Sequence, residues 1–516
     1  MIDKELIKQY REDAYLLLRK LYEERGLLST QIQSYNSFIE VSVPNIVKEY
    51  SRIVPLLTPP GVERVEILLK DIKIEKPKVR ELGGFFREVY PMEARLRDLT
   101  YASPMWITME IREDGKIVEE KDIYVGSIPV MVKSKLCRLY GLGFEELVKL
   151  GEDPYDPGGY FIINGAERVI VFLEDLYPNR VLLEPPIKQE KSEKVRVFSE
   201  KGQYRVTHII EKTPDDMIYI SFGKIKKLPI MILLKALGID KEQILFEIIS
   251  EGDPRFASIL YRNFYETNEI KTTEDALMYI GKLLGLRTRK RRIMRAEQFI
   301  DTILLPHLGN SIESRIDKLL FLAKAVRKLI LFSFEDIKEE DRDHYAFKKV
   351  RGPGELMSIL FRTAIYILVN DIRQNYEKVL KRGRKPTLLS IVRPDKFTTR
   401  MVSSLATGEW PGERKGVSQY VERSDFYTFI TRAYRVKSTM SEDIEKFEAR
   451  DLHATHWGRL CVAETPDSNV IGLRKNLGIT AEITPYIDVR GDELIKLFEI
   501  FGLKSYKTEL KELKKK

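Results

Sequence analysis

Residues 451–472 hold the densest group of side chains that could do chemistry in this sequence. His453 and His456, together with Glu464, have the donor types of a metal site, but the zinc-protease pattern His-Glu-x-x-His is missing. Glycine, proline and asparagine in the same segment favour loops. We therefore expect the histidines and Thr465 to hydrogen-bond this segment into one shape, with its charged side chains facing a polyanion and its metals. A metal-dependent hydrolase built on the two histidines is the remote alternative.

A second segment, residues 405–419, combines three glycines with two cations and an aromatic ring, Arg414, Lys415 and Trp410. Such a loop can touch unpaired bases through the ring and phosphates through the cations. It is no Walker A loop, because the order Gly-x4-Gly-Lys-Ser/Thr is missing. From this segment alone, an ordinary surface loop is an equally good interpretation.

Positive charge is concentrated in two further runs. Residues 287–295 hold six basic residues in nine, and residues 381–400 hold seven basic residues and one acid. Such runs can neutralise a phosphate backbone through counterion release. The chain as a whole has 87 Lys+Arg against 78 Asp+Glu, so the positions of the cations matter more than the net charge of +9. For either run alone, a solvated charged face is the simpler interpretation.

Length and composition indicate a multidomain globular protein. The 516 residues correspond to roughly three or four domains, and 43% of them are hydrophobic. The two cysteines, Cys137 and Cys461, form no Cys-x-x-Cys pair, so this sequence offers neither a disulfide framework nor a zinc ribbon. No signal peptide is recognisable, and apolar runs such as residues 228–234 are far shorter than the ~18 residues of a spanning helix. We expect a cytoplasmic protein without membrane association.

The periodicity of apolar residues predicts the elements that must position these segments. It favours an N-terminal helix that ends near Gly26, a mainly helical region over 228–333 and a long helix over 355–380. Strand patterns dominate 61–135 and 183–226. The fold class predicted is therefore α+β with several domains.

Turn signals and boundaries complete this outline. Asn164-Gly165 predicts a hairpin turn within an apolar stretch. From Lys381 onward the pattern is loop-rich and basic, as far as an amphipathic helix over 492–501. Changes of pattern near residues 182, 345 and 405 suggest that a segment of about 183–345 is inserted into a body formed by its flanks.

Seven blocks in collinear order resemble the second-largest, β-like subunit of cellular multisubunit RNA polymerases. The similarity is to the archaeal form in which this subunit is split into two chains, and specifically to the N-terminal half. The blocks are QSYNSF (33–38), PMEARLRDLTYASP (91–104), GSIPVMVKS (126–134), DPGGYFIINGAERV (156–169), DRDHYAFKKV (341–350), LATGEWPGERKGVSQ (405–419) and HATHWGRLCVAETPDSNVIGLRKNL (453–477).

The resemblance implies a division of the chain. Residues 1–182 and 348–405 would form the two segments of the protrusion, with 183–347 inserted as the lobe. Residues 406–503 would form the N-terminal part of the fork, and 504–516 a basic tail. In the family, protrusion and lobe line the DNA cleft, and the fork lies beside the active centre and the RNA–DNA hybrid.

The resemblance also assigns site residues by position. Gln419, Arg435 and Arg450 would lie along the RNA side of the hybrid, where arginines grip backbone phosphates. Trp410, Arg414 and Lys415 would lie near the downstream edge of the melted DNA. The family's ETPEG stretch, which lies near the active centre, corresponds to Glu464, Thr465, Pro466 and Asp467.

The chemistry implied is nucleotidyl transfer by two metal ions, carried out only by the assembled DNA-directed RNA polymerase. The family binds its Mg2+ ions mainly through aspartates of the largest subunit, so no catalytic residue, metal ligand or cofactor is expected in this chain, which alone would be inactive. The expected partners are the DNA template, nascent RNA, NTPs, the second half of the split subunit, the largest subunit and the other polymerase subunits.

Some positions depart from the family pattern and motivate an alternative. Asp467-Ser468 replaces the usual Glu-Gly, Gly352-Pro353 replaces a more helical pair, and Ala454 stands where proline is common. The alternative is a stand-alone nucleic-acid-binding scaffold protein descended from this subunit. An apolar helix face over 492–501 without a cover within the chain would favour the subunit over the scaffold.

Overall fold

The computed structural model describes residues 4–81, 83–184, 192–202, 204–412, 414–444, 446–484 and 491–502. The predicted basic tail, 504–516, lies outside these ranges. Within them no helix is long and apolar enough to cross a membrane.

Helices and strands alternate in blocks along the chain. The helices are α1 (Lys4–Arg25), α2 (Ser29–Ser37), α3 (Val43–Glu49), α4 (Pro91–Leu96), α5 (Phe144–Lys149), α6 (Ile230–Ala236), α7 (Glu242–Ser250), α8 (Ala257–Glu266), α9 (Thr273–Leu283), α10 (Arg289–Ile303), α11 (Ser314–Ser333), α12 (Pro353–Lys381), α13 (Leu388–Ile391), α14 (Pro394–Thr407), α15 (Phe426–Ala433) and α16 (Gly491–Ile500). The strands are β1 (Arg52–Ile53), β2 (Val65–Ile74), β3 (Lys78–Arg80), β4 (Phe86–Glu88), β5 (Ala102–Glu113), β6 (Lys116–Pro129), β7 (Phe161–Ile163), β8 (Ala166–Ile170), β9 (Phe172–Leu176), β10 (Val181–Glu184), β11 (Glu193–Lys201), β12 (Tyr204–Lys212), β13 (Ile218–Phe222), β14 (Ile225–Pro229), β15 (Lys348–Arg351), β16 (Ser418–Tyr420), β17 (Arg435–Ser438) and β18 (Arg474–Asn476). The α+β prediction is confirmed.

Most element predictions are confirmed where the local pattern is strong. α1 ends at Arg25, and the left-handed backbone of the following Gly26 lets its N–H close the last turn on the carbonyl of Tyr22. The predicted hairpin turn at Asn164-Gly165 connects β7 and β8, with positive φ at both residues. The expectation of mainly loops beyond Lys381 is wrong for α14, which begins at Pro394, a residue suited to the first helical turn.

Two large hydrophobic cores divide these elements. One contains β2, β5, β6, α12 and α14, and it draws its residues from both 35–173 and 356–417. The other contains only residues between 181 and 337, from the five-stranded sheet β10-β11-β12-β13-β14 and helices α6–α11. The chain therefore leaves the first core, builds the second and returns. The boundaries of protrusion, lobe and fork stay predictions.

The chain comes back to the first core at α12, where a tight contact between α2 and the start of α12 fixes its position. Gly354 N donates to Ser34 Oγ at 3.0 Å, and a Cβ at Gly354 would lie 1.9 Å from the carbonyl oxygen of Ser34. Only glycine fits this approach. Pro353 occupies the first turn of α12, so the Gly352-Pro353 departure leaves the helix intact.

A four-stranded sheet in the order β15-β9-β17-β18 brings distant segments to one place. β15 pairs antiparallel with β9, β17 pairs parallel with β9, and β18 pairs antiparallel with β17. This small sheet carries the candidate site.

Candidate nucleic-acid interface

One face of the β17–β18 ladder is cationic. Arg435 is opposite Asn476 and Lys437 is opposite Arg474 in the register, so these four side chains share a face. Val436 and Lys475 alternate to the other face, where both are buried. We call the face with Arg435, Lys437 and Arg474 the cationic face.

Arg432, at the end of α15, extends the cationic face toward Gln419. Its guanidinium donates to Gln419 Oε1 at 3.2 Å and also pairs with Glu422. Burial, together with the charges of Arg432 and Arg474, lowers the pKa of Arg435. The Nε atoms of Arg432, Arg435 and Arg474 are buried, with no hydrogen-bond partner among the residues described. Cations crowded in this way are stabilised by an added anion, as a phosphate backbone would supply.

The opposite face of the same ladder holds a buried carboxylate. Lys475 Nζ donates to both oxygens of Glu174 at 3.1 Å, Lys348 Nζ donates to one of them at 2.9 Å, and the Tyr345 hydroxyl donates as well. Burial alone would raise the pKa of Glu174, but Lys348 and Lys475 outweigh it and lower the pKa to about 2. This cluster fixes β9, β15 and β18 to one another.

The segment that matches ETPEG follows a path set by hydrogen bonds to its neighbours. Thr465 Oγ1 donates to the carbonyl of Arg474 at 2.9 Å and accepts from the N–H of Gly472 at 3.0 Å. Glu464 and Asp467 are exposed and Pro466 is half-buried. The predicted loop-shaping role of Thr465 is confirmed, whereas the placement of this segment near an active centre stays a prediction.

Arg450 is placed differently from the expectation. Its Nη1 donates to the carbonyls of Asn469 and Ile471, and its Nη2 to those of Glu442 and Ile444. All four terminal N–H donors are therefore used within the chain. In this structure Arg450 clamps two loops together, and its contact with a hybrid phosphate stays a prediction.

Of the two histidines, His453 fulfils the predicted loop-shaping role, whereas the buried Nε2 of His456 has no hydrogen-bond partner among the described residues. His453 contacts Thr455 Oγ1 at 2.6 Å and Asp341 Oδ2 at 2.8 Å through its two ring nitrogens. Burial and the nearby Lys475 lower the pKa of His456 to about 4, so its ring is neutral. Within the described ranges no three His, Cys, Asp or Glu side chains are grouped as metal ligands.

The loop of residues 408–417 is more buried than its composition indicated. Trp410 is 4% exposed, and its Nε1 donates to the carbonyl of Leu356 at 2.9 Å. Arg414 is 7% exposed. Both side chains are therefore packed inside rather than presented at the surface, and the placement of the loop near the melted DNA stays a prediction. Lys415 alone of the three is exposed.

Ser468 carries backbone strain. Its φ is +72°, a left-handed conformation that costs a residue with a Cβ about 1–2 kcal/mol. Glycine, the usual residue here in the family, adopts it freely. The departure at this position therefore preserves the backbone path at an energetic cost.

We expect Ser468→Gly to stabilise this loop by about 1 kcal/mol, because the strain is relieved and only part is offset by backbone entropy. Hydrogen-exchange protection of residues 465–473 measures the change. Ala454→Gly is the matched control. Ala454 has no positive φ, so glycine relieves no strain there, and the added backbone entropy should lower hydrogen-exchange protection. An equal change of hydrogen-exchange protection in the two variants would contradict the backbone strain at Ser468.

Sequence reasoning missed Arg432, Lys437 and Arg474. The signal available was the alternation of cations in RVK (435–437) and RKN (474–476), which places Arg435, Lys437 and Arg474 on one face once the two strands are paired. The pairing itself could not be read from either segment.

The basic run 287–295 leads into α10 and forms its first turns. Arg287, Lys290 and Arg291 are exposed there. The run is therefore a solvated charged face, which is the interpretation that composition alone favoured.

Comparison with known proteins gives two family matches. Residues 26–399 match the family described as RNA polymerase beta subunit, and residues 419–483 match RNA polymerase Rpb2, domain 3. Together these cover the core between residues 181 and 337, most of the other large core and the cationic face.

Individual relatives agree with these matches. The chain is 39% identical over 500 residues to DNA-directed RNA polymerase subunit Rpo2N of Methanocaldococcus jannaschii, covering 94% of this chain and 98% of that one. It is 35% identical over 510 residues to Rpo2N of Methanococcus vannielii, covering 95% and 99%. Against subunit Rpo2 of Saccharolobus solfataricus it is 38% identical over 482 residues, 93% of this chain but 42% of that subunit. The chain thus spans less than half the length of the undivided relatives.

Proposed function

This chain belongs to the RNA polymerase beta subunit family, and on that premise we propose that it works as the N-terminal half of the second-largest subunit of an archaeal DNA-directed RNA polymerase. The seven-block resemblance is confirmed by the two split relatives, each matched over nearly its whole length. The activity belongs to the assembled enzyme, a nucleotidyltransferase in DNA-templated transcription.

The observation that carries the proposal is the cationic face. Arg432, Arg435, Lys437 and Arg474 converge on one side of a ladder whose other side is pinned by a buried carboxylate. A rigid row of incompletely neutralised cations suits the phosphate backbone of a strand. We propose that this face meets the RNA–DNA hybrid, with Gln419 at one end of it.

The exposed apolar face of helix α16 supports the proposal of a permanent protein partner. Its apolar side chains Leu494, Ile495, Leu497 and Phe498 are each about half exposed, and Ile500 is 81% exposed. A surface of this kind in a stable protein is normally covered by another chain. We propose the second half of the split subunit as the cover, which disfavours the stand-alone scaffold.

Catalysis itself needs other chains in this proposal. Mg2+ held mainly by the largest subunit would supply the metal-ion chemistry of nucleotidyl transfer. This chain would contribute binding and orientation of DNA template and nascent RNA, and the shape of the cleft into which NTPs enter.

The test is recovery of the assembly. The tagged chain is purified from its native cells at moderate salt, and the eluate is assayed for template-dependent RNA synthesis. We expect the second half and a larger chain in equal amounts, with synthesis. Recovery of the folded chain alone, without activity, would overturn the proposal in favour of the scaffold.

Lys415→Gln tests the remaining exposed cation of the 408–417 loop. Removal of one phosphate contact should shorten the lifetime of the open promoter complex and reduce the salt dependence of that lifetime, since one fewer counterion is displaced. Open-complex lifetimes at several salt concentrations measure this. Lys8→Gln, on the exposed face of α1, is the control, and lifetimes equal to wild type across salt would contradict the contact.

A further inference from the structure

Helix α1 is exposed over most of its length. Every residue from 8 to 17 is exposed, which is a stretch of about 15 Å along the helix axis. Its hydrogen bonds to the body come from the last turn, where the Tyr22 hydroxyl donates to the carbonyl of Ile479 at 3.1 Å and Arg25 forms an ion pair with Glu482. A helix in proteins takes most of its stability from the packing of an apolar face, so a helix held at one end needs a cover.

An apolar stripe runs along this exposed helix. Its members are four, three and four positions apart, which is the spacing of helices that pack against a partner. They are Tyr10, Ala14, Leu17 and Leu21. Tyr10 is 66% exposed and Leu17 is 69% exposed, so the stripe has no cover over its first turns among the residues described. We call this set of four residues the α1 stripe.

The opposite side of α1 is built for water. It carries the charged residues Lys8, Glu12, Arg19 and Glu23. Arg19 and Glu23 form an ion pair with an N–O distance of 2.8 Å, one turn apart on this side. The helix is therefore amphipathic, with a solvated face and an apolar face that is open to a partner.

The foot of α1 lies beside the place where the family match ends. The match to RNA polymerase Rpb2, domain 3 ends at residue 483, next to Glu482, which pairs with Arg25. Undivided relatives continue beyond the region they share with this chain, because the match covers only 42% of Rpo2 of Saccharolobus solfataricus. A split Rpo2N chain is matched over 98% of its length, so it lacks that continuation. In an undivided subunit the continuation therefore leaves the body beside the foot of α1.

Helix α16 points to the same partner. It begins at Gly491, nine residues after Glu482, and its apolar side chains are exposed. Nine residues span at most about 30 Å, so the foot of α1 and the start of α16 are within reach of one folded domain. Two exposed apolar helix faces so close together are typical of a surface that another chain covers.

We propose that the α1 stripe packs against the second half of the split subunit, so that one partner covers both α1 and α16. The identity of this partner rests on the proposed function, whereas the uncovered stripe is a property of this chain. A second copy of this chain and a different polymerase subunit are the competing occupants.

The test places a photoreactive residue on the α1 stripe within the assembled polymerase. p-Benzoylphenylalanine replaces Leu17 in one preparation and Leu16 in the other, and each tagged chain is purified with its complex and illuminated. Leu16 is the matched control, because it is also exposed, at 53%, but lies about 100° round the helix on the side away from Tyr10. We expect cross-links to the second half from position 17 and about tenfold fewer from position 16, since only groups in contact react.

The cross-linked chain identifies the occupant. Cross-links from position 17 to another copy of this chain or to a different subunit overturn the proposal, and the proposed function stands. An active complex without cross-links from position 17, or with equal cross-linking from both positions, also overturns it. Recovery of the tagged chain alone overturns both proposals, because no second half is then present to cover the stripe.

Leu17→Lys measures how much the contact contributes. A charge placed in an apolar interface should lower the affinity of the two halves by about tenfold or more, whereas Leu16→Lys should leave it unchanged. The amount of second half that the tagged chain retains over a series of urea concentrations measures the difference. Both leucines are exposed, so neither variant disturbs the large cores. Equal retention by the two variants overturns the contact at the α1 stripe.

Discussion

Glu174→Gln is expected to destabilise the small mixed sheet by about 3–5 kcal/mol, the range for removing one partner of a buried ion pair. Glutamine keeps the shape but leaves Lys348 and Lys475 without a counter-charge. Because a multidomain chain does not unfold in one step, hydrogen-exchange protection of β17 and β18 is the measurement. The strands of the core between residues 181 and 337 serve as an internal reference that should not change.

Two variants separate charge from packing. Glu23→Gln removes an exposed partner of Arg19 on α1, and we expect no measurable loss of hydrogen-exchange protection in the small mixed sheet. The double variant Glu174→Gln with Lys475→Met should recover part of the lost protection, because it removes one of the unpaired cations. Protection in β17 equal to wild type in the single variant would show that Glu174 does not hold the sheet.

The same cluster predicts a pH dependence. The pKa of Glu174 is lowered to about 2 in the folded protein, against about 4.3 for an unperturbed glutamate. A lowered pKa stabilises the fold fully above the unfolded value, and this stability is lost as pH falls through the folded value. Protection of β17 should therefore decline between about pH 4.3 and pH 2 in wild type, and this component should be absent in Glu174→Gln.

Arg432→Gln with Arg435→Gln is expected to weaken the hold of the assembled polymerase on the RNA–DNA hybrid. Each phosphate contact that is removed should reduce the slope of log affinity against log salt by about 0.7–0.9. Arg435→Ala alone should raise the release of short abortive transcripts without preventing assembly. Binding to a hybrid scaffold over a series of salt concentrations, and the yield of abortive products, measure the two effects.

Assembly must be checked beside these measurements. Absence of the variant chain from the complex would assign Arg432 and Arg435 a structural role. Lys8→Gln is again the control, because it removes a cation that is not part of the cationic face. If the double variant and this control give parallel salt slopes, the cationic face does not contact phosphate.

The sequence predicted those features that depend on local pattern. Gly26, the Asn164-Gly165 turn and α12 follow from caps, turn chemistry and apolar spacing within a few residues. The positive φ at Ser468 was foreseeable because glycine is expected there. The family assignment needed only the order of the seven blocks.

Features that depend on distant segments could not be predicted. Trp410 is buried because its ring hydrogen-bonds the start of α12, and Arg414 because β9 and β11 bring carboxylates beside it. In sequence both belong to a glycine-rich loop that looks exposed. Arg450 likewise carries no local sign that four carbonyls from two other loops surround it.

The order of strands in the small sheet has a consequence for the newly made chain. β9 leaves the ribosome before the whole 181–337 core and α12, yet its parallel neighbour β17 comes only after them. At typical synthesis rates the interval is on the order of tens of seconds. Throughout it, one edge of β9 is unpaired and Glu174 lacks Lys475, so this region should depend on chaperones more than the two large cores do.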